Sequence, residues 1–219
     1  MKNFNVFICF NTVVIVLLFL TTIAFSNDYN ELRRLNFNQL TKQIVNFNKH
    51  LENNPNDYEI LKAIGIAYHF KAIQKVKKNA QKSVTFLSKS LEINGKDNET
   101  LCYLGSATTM LANTTWNPIK KMSHANKGIS FMDKAIRRDP DNITVRMTRG
   151  NNSINLPSFL KRVDTGIEDF QYLAALIEED PEKHKSIAKE VFSSLAILYN
   201  KKEQPIKAKE YQKRADNFI

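Results

Sequence analysis

Chemistry at a protein site begins with side chains that ionise, attack or ligate, and few of those converge in this chain. His50, His69, His124 and His184 are scattered through the 219 residues. None stands at ligand spacing from another histidine or a cysteine, so no zinc or other metal site is expected. Cys102 is the single cysteine beyond an N-terminal apolar run. It sits among apolar residues and reads as packing rather than as a nucleophile. Glu178-Glu179-Asp180 is an acidic trio, but Pro181 follows at once, so it most simply ends one helix and begins the next. No phosphate loop of the form G-x4-G-K-[ST] occurs. The stretch KVKKNAQK at 75–82 reads as a solvated helix face. No catalytic residue and no cofactor is called for, and the chain is not expected to be an enzyme.

Two apolar features stand apart from the helical pattern. Trp116, the single tryptophan, lies beside Asn117-Pro118 and either packs a loop down or offers a contact to a partner. Phe159, in Leu156-Pro157-Ser158-Phe159-Leu160, poses the same choice. Lys and Arg together number 32 against 22 for Asp and Glu, a net charge of +10. Both signs are interspersed and no basic block of five or six forms, so nucleic acid is not the expected partner.

The elements that must position these residues are helical nearly throughout. Apolar residues recur three and four apart, as in Leu40, Ile44, Phe47 and Leu51, then in Val84, Leu87 and Leu91. No run alternates with period two over the length of a strand. Asn117-Pro118 and Asp180-Pro181 pair a capping side chain with a proline suited to the first helical position. Asp97 and Asp141 precede helical patterns in the same way, and Asn94-Gly95 reads as a helix stop.

A repeat runs through the helices. Leu61-x2-Ile64-Gly65-x2-Tyr68, Leu101-x2-Leu104-Gly105-x2-Thr108, Arg146-x2-Arg149-Gly150-x2-Ser153 and Phe192-x2-Leu195-Ala196-x2-Tyr199 share one frame. Each is followed by a small-x3-large-x2-small frame, at Ser83, Gly128, Gly166 and Ala208. All six glycines fill a small slot or a turn, and a helical glycine otherwise costs about 1 kcal/mol relative to alanine. Over roughly residues 40–218 the chain resembles the tetratricopeptide repeat (TPR) family. The small slots at 65, 105, 150 and 196 lie 40, 45 and 46 residues apart, against about 34 in the plain repeat. The excess falls mainly at 71–79, 112–124 and 154–161, and repeat three carries Arg146 and Arg149 where apolar residues belong.

The resemblance implies an all-α fold, a right-handed superhelical stack of antiparallel helix pairs. Its expected divisions are a capping helix in 27–55 and repeats at about 56–96, 97–140, 141–181 and 182–219. It further implies that the first helix of each pair lines a concave groove for a protein or peptide partner. Carried over by offset, the groove residues are Lys62, Ile66 and His69; Cys102, Ser106 and Thr109; Met147, Asn151 and Ile154; and Ser193, Ile197 and Asn200. TPR domains that clamp a terminal carboxylate carry lysine and asparagine at the first two offsets. Lys62 matches and Ile66 does not, so no such clamp is expected.

Residues 1–26 read MKNFNVFICFNTVVIVLLFLTTIAFS, with Lys2 the only charge. Small residues at Ala24 and Ser26 suit cleavage before Asn27, as in a signal peptide. The alternative is an uncleaved N-terminal anchor, which would then be the only membrane contact. The expectation is an exported, non-catalytic protein–protein interaction scaffold of the periplasm or cell envelope. The alternative is an accessory subunit of an envelope transport system that holds a small apolar ligand between helices.

Overall fold

The computed structural model describes residues 29–74 and 78–218. The signal-peptide reading of residues 1–26, and Lys75 to Lys77 of the basic stretch, lie outside them. A short helix α1 (Tyr29–Leu32) leads into α2 (Phe37–Asn53), and four helix pairs follow. These are α3 (Tyr58–Ile73) with α4 (Lys78–Ile93), and α5 (Asn98–Leu111) with α6 (Pro118–Arg138). Then come α7 (Ile143–Asn155) with α8 (Val163–Glu179), and α9 (Pro181–Lys201) with α10 (Pro205–Asp216). Among the described residues there is no strand. The fold is all-α, a TPR-like solenoid.

One four-residue turn is used three times between pairs: Asn54 to Asp57, Asn94 to Asp97 and Asp139 to Asn142. In each, the fourth amide donates to the first carbonyl, at 3.2, 3.2 and 3.4 Å. The fourth residue then caps the next helix. Asp57 accepts from the Ile60 amide at 3.1 Å, Asp97 from Thr100 at 2.9 Å and Asn142 from Val145 at 3.0 Å. The cap of α7 is therefore Asn142. Asp141 instead accepts from the Tyr172 hydroxyl at 2.8 Å. Asn94-Gly95 does follow the end of α4 at Ile93, but without a left-handed glycine, because no glycine has a positive φ. Gly95 occupies the second turn position that Pro55 and Pro140 fill elsewhere, where backbone φ is negative anyway. Asn117 and Asp180 cap α6 and α9 through the Lys120 and Lys183 amides, both at 3.1 Å.

Within pairs, the glycines set the spacing. A Cβ on Gly105 would lie 2.6 Å from the Gly128 carbonyl oxygen, and one on Gly128 only 2.4 Å from that of Gly105. Helices α5 and α6 therefore touch backbone to backbone. Burial is spread along the stack in three clusters rather than one centre, as expected of a solenoid. Leu40, Ile64, Ile66 and Leu87 belong to the first, Cys102, Met132 and Val145 to the second, and Phe170, Phe192 and Leu195 to the third.

Repeat three solves the arginine anomaly with charge. Asp169 on α8 is completely buried. Arg149 reaches both its oxygens at 2.8 Å, and Arg146 adds a contact at 3.2 Å. Arg146 also stacks its guanidinium 3.9 Å over the Tyr172 ring. Arg149 continues to Asp133 at 3.1 Å, which Arg162 also holds at 2.6 Å. Burial alone would lower the Arg149 guanidinium, but the carboxylates of Asp169 and Asp133 outweigh it and raise its pKa. An ionic network thus occupies the place of the apolar knobs.

Candidate functional site: a polar-floored groove

The first helices of three successive pairs, α3, α5 and α7, turn one face into a cavity of about 1250 Å³. Its floor is a ladder of uncharged polar side chains, one rung per helix. His69 Nε2 lies 2.9 Å from Ser106 Oγ. Asn152 Nδ2 donates to Ser106 Oγ at 3.2 Å and to Thr109 Oγ1 at 2.7 Å. Aromatic rings hold the ladder in place. His69 meets Phe70 and Tyr103 edge-on, with centroids 5.2 and 5.3 Å apart. Burial, with Arg33 nearby, pushes the His69 imidazole down to a pKa of about 3, so it is neutral in any physiological medium.

Two stretches far apart in sequence meet at this cavity. Arg33, just after α1, forms an ion pair with Glu190 of α9. Glu190 also accepts from Asn151 Nδ2 at 2.8 Å. Trp116 stands at the rim, 96% exposed, with Lys121 beside the same cavity. The connector that carries it therefore presents the indole rather than packing it down.

Of the residues expected in the groove, His69, Ser106, Thr109 and Asn151 line this cavity. Lys62 does not. It is buried between Asp97 and Glu99, whose carboxylates lie at 3.0 and 2.9 Å, and it ties α3 to the start of α5. Met147 is buried in the C-terminal cluster, and Ile66 in the N-terminal one. Cys102 is also fully buried, its Sγ 3.5 Å from the Val145 carbonyl oxygen. Burial raises its thiol pKa, so the side chain stays protonated. Ser193, Ile197 and Asn200 sit on α9 outside the cavity, Ile197 and Asn200 exposed. Phe159 is exposed as well, on the α7–α8 connector away from the cavity.

The offsets missed Asn152, Tyr103, Arg33 and Glu190. Asn152 lies one residue beyond a predicted groove position, close enough that a wider window around each small slot would include it. The Arg33–Glu190 pair spans 157 residues, and no local pattern announces a contact of that range.

A sequence model of the family described as "Plant specific mitochondrial import receptor subunit TOM20" matches residues 32–158, more than half of the chain. The chain belongs to that family. Its matched part runs from the last residue of α1 into the α7–α8 connector and takes in every rung of the ladder. Among solved structures, the chain is similar to TTC0263, a thermophilic TPR protein of Thermus thermophilus. The identity is 15%, the TM-score 0.66, and the match covers 83% of this chain and 84% of that one. It is also similar to MamA, with 18% identity, a TM-score of 0.51, and coverage of 82% of this chain and 88% of that one. At such identities these likenesses show the TPR fold. No curated protein sequence matches the chain.

Proposed function

We propose that the protein is a non-catalytic scaffold that holds an extended segment of a partner protein in the groove over α3, α5 and α7. The observation that carries this reading is the cavity with its continuous polar floor, in a fold whose relatives present concave surfaces to partners. A catalytic use of the Ser106–His69 contact is a poor fit. An imidazole held near a pKa of 3 is a weak base, and its second ring nitrogen has no orienting carboxylate. A small apolar ligand is the weaker alternative too, because the floor would leave amide and hydroxyl groups facing hydrocarbon.

The description of the matched family as an import receptor supports a receptor-like role at a membrane. The charge of the groove argues about its cargo. Arg33, Lys78 and Lys121 line the cavity against a single carboxylate, Glu190. An uncharged or acidic segment fits that lining better than a basic one. Residues 1–26 would deliver the scaffold to the periplasm or cell envelope, by cleavage before Asn27 or as a retained anchor.

A photo-reactive residue at Asn155, exposed beside the cavity, should cross-link a discrete partner in cells. The same residue at Lys185, exposed on α9 outside the cavity, should not. Equal adducts from both positions, or none from Asn155, would overturn the groove reading. N-terminal sequencing of the protein from fractionated cells should begin at Asn27 if the leader is removed. An intact Met1 terminus in the membrane fraction would establish the anchor instead.

A further inference from the structure

The first three helix pairs sort their charge by end. The four-residue turns between pairs lie at one end of the helices, and the connectors within pairs lie at the other. Gln74, Trp116 and Leu156, one from each of those pairs' connectors, line the same cavity, so the connectors stand side by side along one edge. Acidic residues keep to the turns, where Asp57, Glu92, Asp97, Asp139, Asp141 and Asp180 sit. No Asp or Glu occurs at 60–91, at 100–132 or at 142–163, the stretches that run out to the connectors and back. The same stretches carry exposed Lys78, Lys82, Lys120, Lys121 and Lys161.

Large apolar side chains also point outward along the connector edge. Ile73, Trp116, Ile119 and Phe159 are between 58% and 96% exposed. Beside Trp116, Ile119 and Met122 lie three apart on the start of α6 and so share a face. Lys120 and Lys121 open that helix with no acidic residue in its first turn, at the end of the helix dipole that favours anions.

The described chain joins the fold at this edge too. The Leu35 carbonyl accepts from Gln74 Nε2 at 2.9 Å, and Lys71 Nζ lies 4.0 Å over the Phe37 ring. Arg33 follows Phe25, the last apolar residue of the N-terminal run, by eight residues. Fully extended, such a stretch reaches no more than about 30 Å.

We infer that the connector edge rests on anionic phospholipid, with the Trp116 indole and Ile119 at the level of the headgroups and the lysines on their phosphates. It is a second membrane contact beside the one expected of residues 1–26, and it goes beyond the groove reading without depending on it. Tryptophan flanked by aliphatic and lysine side chains suits such an interface: ring and alkyl parts leave water while ammonium groups meet negative charge. An acidic protein face is the competing occupant. Lipid is favoured because the chain that follows the apolar run joins the fold at this edge, and both fates of that run, cleavage and retention, begin at a membrane.

Trp116 is the single tryptophan, so its emission reads this edge alone. The test reconstitutes the full-length chain into phosphatidylcholine vesicles with and without phosphatidylglycerol, and into the same vesicles made with brominated acyl chains. With phosphatidylglycerol the emission should move to the blue and be quenched by the brominated chains. In phosphatidylcholine alone it should keep its water-exposed position. Lys120→Glu with Lys121→Glu should weaken docking at least about tenfold and return the emission to the red. Lys183→Glu with Lys185→Glu, both exposed at the start of α9 on the turn edge, should leave the shift intact. Emission that does not respond to phosphatidylglycerol would overturn the inference, whether it stays red or shifts in both lipids. So would a Lys120→Glu, Lys121→Glu variant that shifts like the wild type. Emission unmoved by lipid, with a photo-reactive residue at position 116 capturing a protein in cells, would give the edge to a protein partner instead. The Asn155 adducts test the groove separately, and their absence would leave a lipid-dependent Trp116 shift standing.

Discussion

Replacing Gly105 with alanine adds one methyl group where two helix backbones already touch. That Cβ would lie 2.6 Å from the Gly128 carbonyl oxygen, 2.7 Å from Met132 Cγ and 3.0 Å from the Met132 amide nitrogen. A side chain could swing away, but two of these three atoms are backbone, so α5 and α6 must separate. Separation loosens the packing of Cys102, Met132 and Ala135, all nearly or fully buried. Overpacking of this kind costs about 1–3 kcal/mol, and closeness to backbone puts Gly105→Ala in the upper part of that range. Helix propensity works the other way by about 1 kcal/mol. The net expectation is a loss of roughly 1–2 kcal/mol, or about 2–8 °C in Tm for a chain of this size. Gly95→Ala is the control. Its Cβ would meet only the Leu91 carbonyl oxygen, at an ordinary 3.5 Å, and the backbone there has no positive φ. That change should be neutral, or stabilising by up to about 1 kcal/mol through the unfolded state. Thermal unfolding followed by far-UV circular dichroism measures both. If Gly105→Ala melted at or above the wild-type temperature, the nesting of α5 on α6 would not depend on the bare backbone, and the reasoning from the repeat frame would fail.

Two further outcomes follow from buried charge. His69 has a folded-state pKa of about 3 against 6.5 when free, so only the unfolded chain takes up its proton as pH falls through that window. Its contribution is complete above pH 6.5 and should be lost toward pH 3, at no more than about 1.4 kcal/mol per pH unit and about 5 kcal/mol in all. The difference in unfolding free energy between wild type and His69→Phe, measured against pH, should carry that slope; a flat difference would refute it. In repeat three, Asp169→Asn leaves Arg146 buried without its anion and Arg149 with only Asp133 and the more exposed Glu168, and should cost about 3–5 kcal/mol. Replacing Arg146, Arg149 and Asp169 together by leucine should recover most of that loss in denaturant melts, since Asp133 keeps Arg162. A triple variant as unstable as Asp169→Asn would show that the network does more than occupy the apolar slots.

The sequence carried the helices and their pairing because those rest on local rules. Capping residues, prolines at first helical positions and glycines at a fixed slot are each set by contacts within one helix or between chain neighbours. The TPR resemblance then brought His69, Ser106, Thr109 and Asn151 to one cavity by offset alone. The same offsets misplaced Lys62 and Met147, and the reason is physical. An offset says which way a residue faces on its helix, but not whether the next helix covers it. Lys62 faces the start of α5, where Asp97 and Glu99 close over it, and Met147 is enclosed by the C-terminal cluster.

What stayed hidden is longer in range. The cavity is lined by Arg33 and Glu190, 157 residues apart in sequence, and the curvature of the stack brings them together. That curvature is the sum of small rotations at each helix contact, fixed in turn by where a glycine lets two backbones approach. Gly105 and Gly128 make the closest such contact, beneath the rung formed by Ser106 and Thr109. The residues that set the spacing of α5 and α6 are thus direct neighbours of those that floor the groove. A change that parts these helices should reach the ladder through Thr109, whose backbone amide nitrogen would be 2.8 Å from a Cβ on Gly128. The bare-backbone contact and the polar rung thus share one stretch of α5, so a disturbance of the helix packing should be felt in the lining of the cavity.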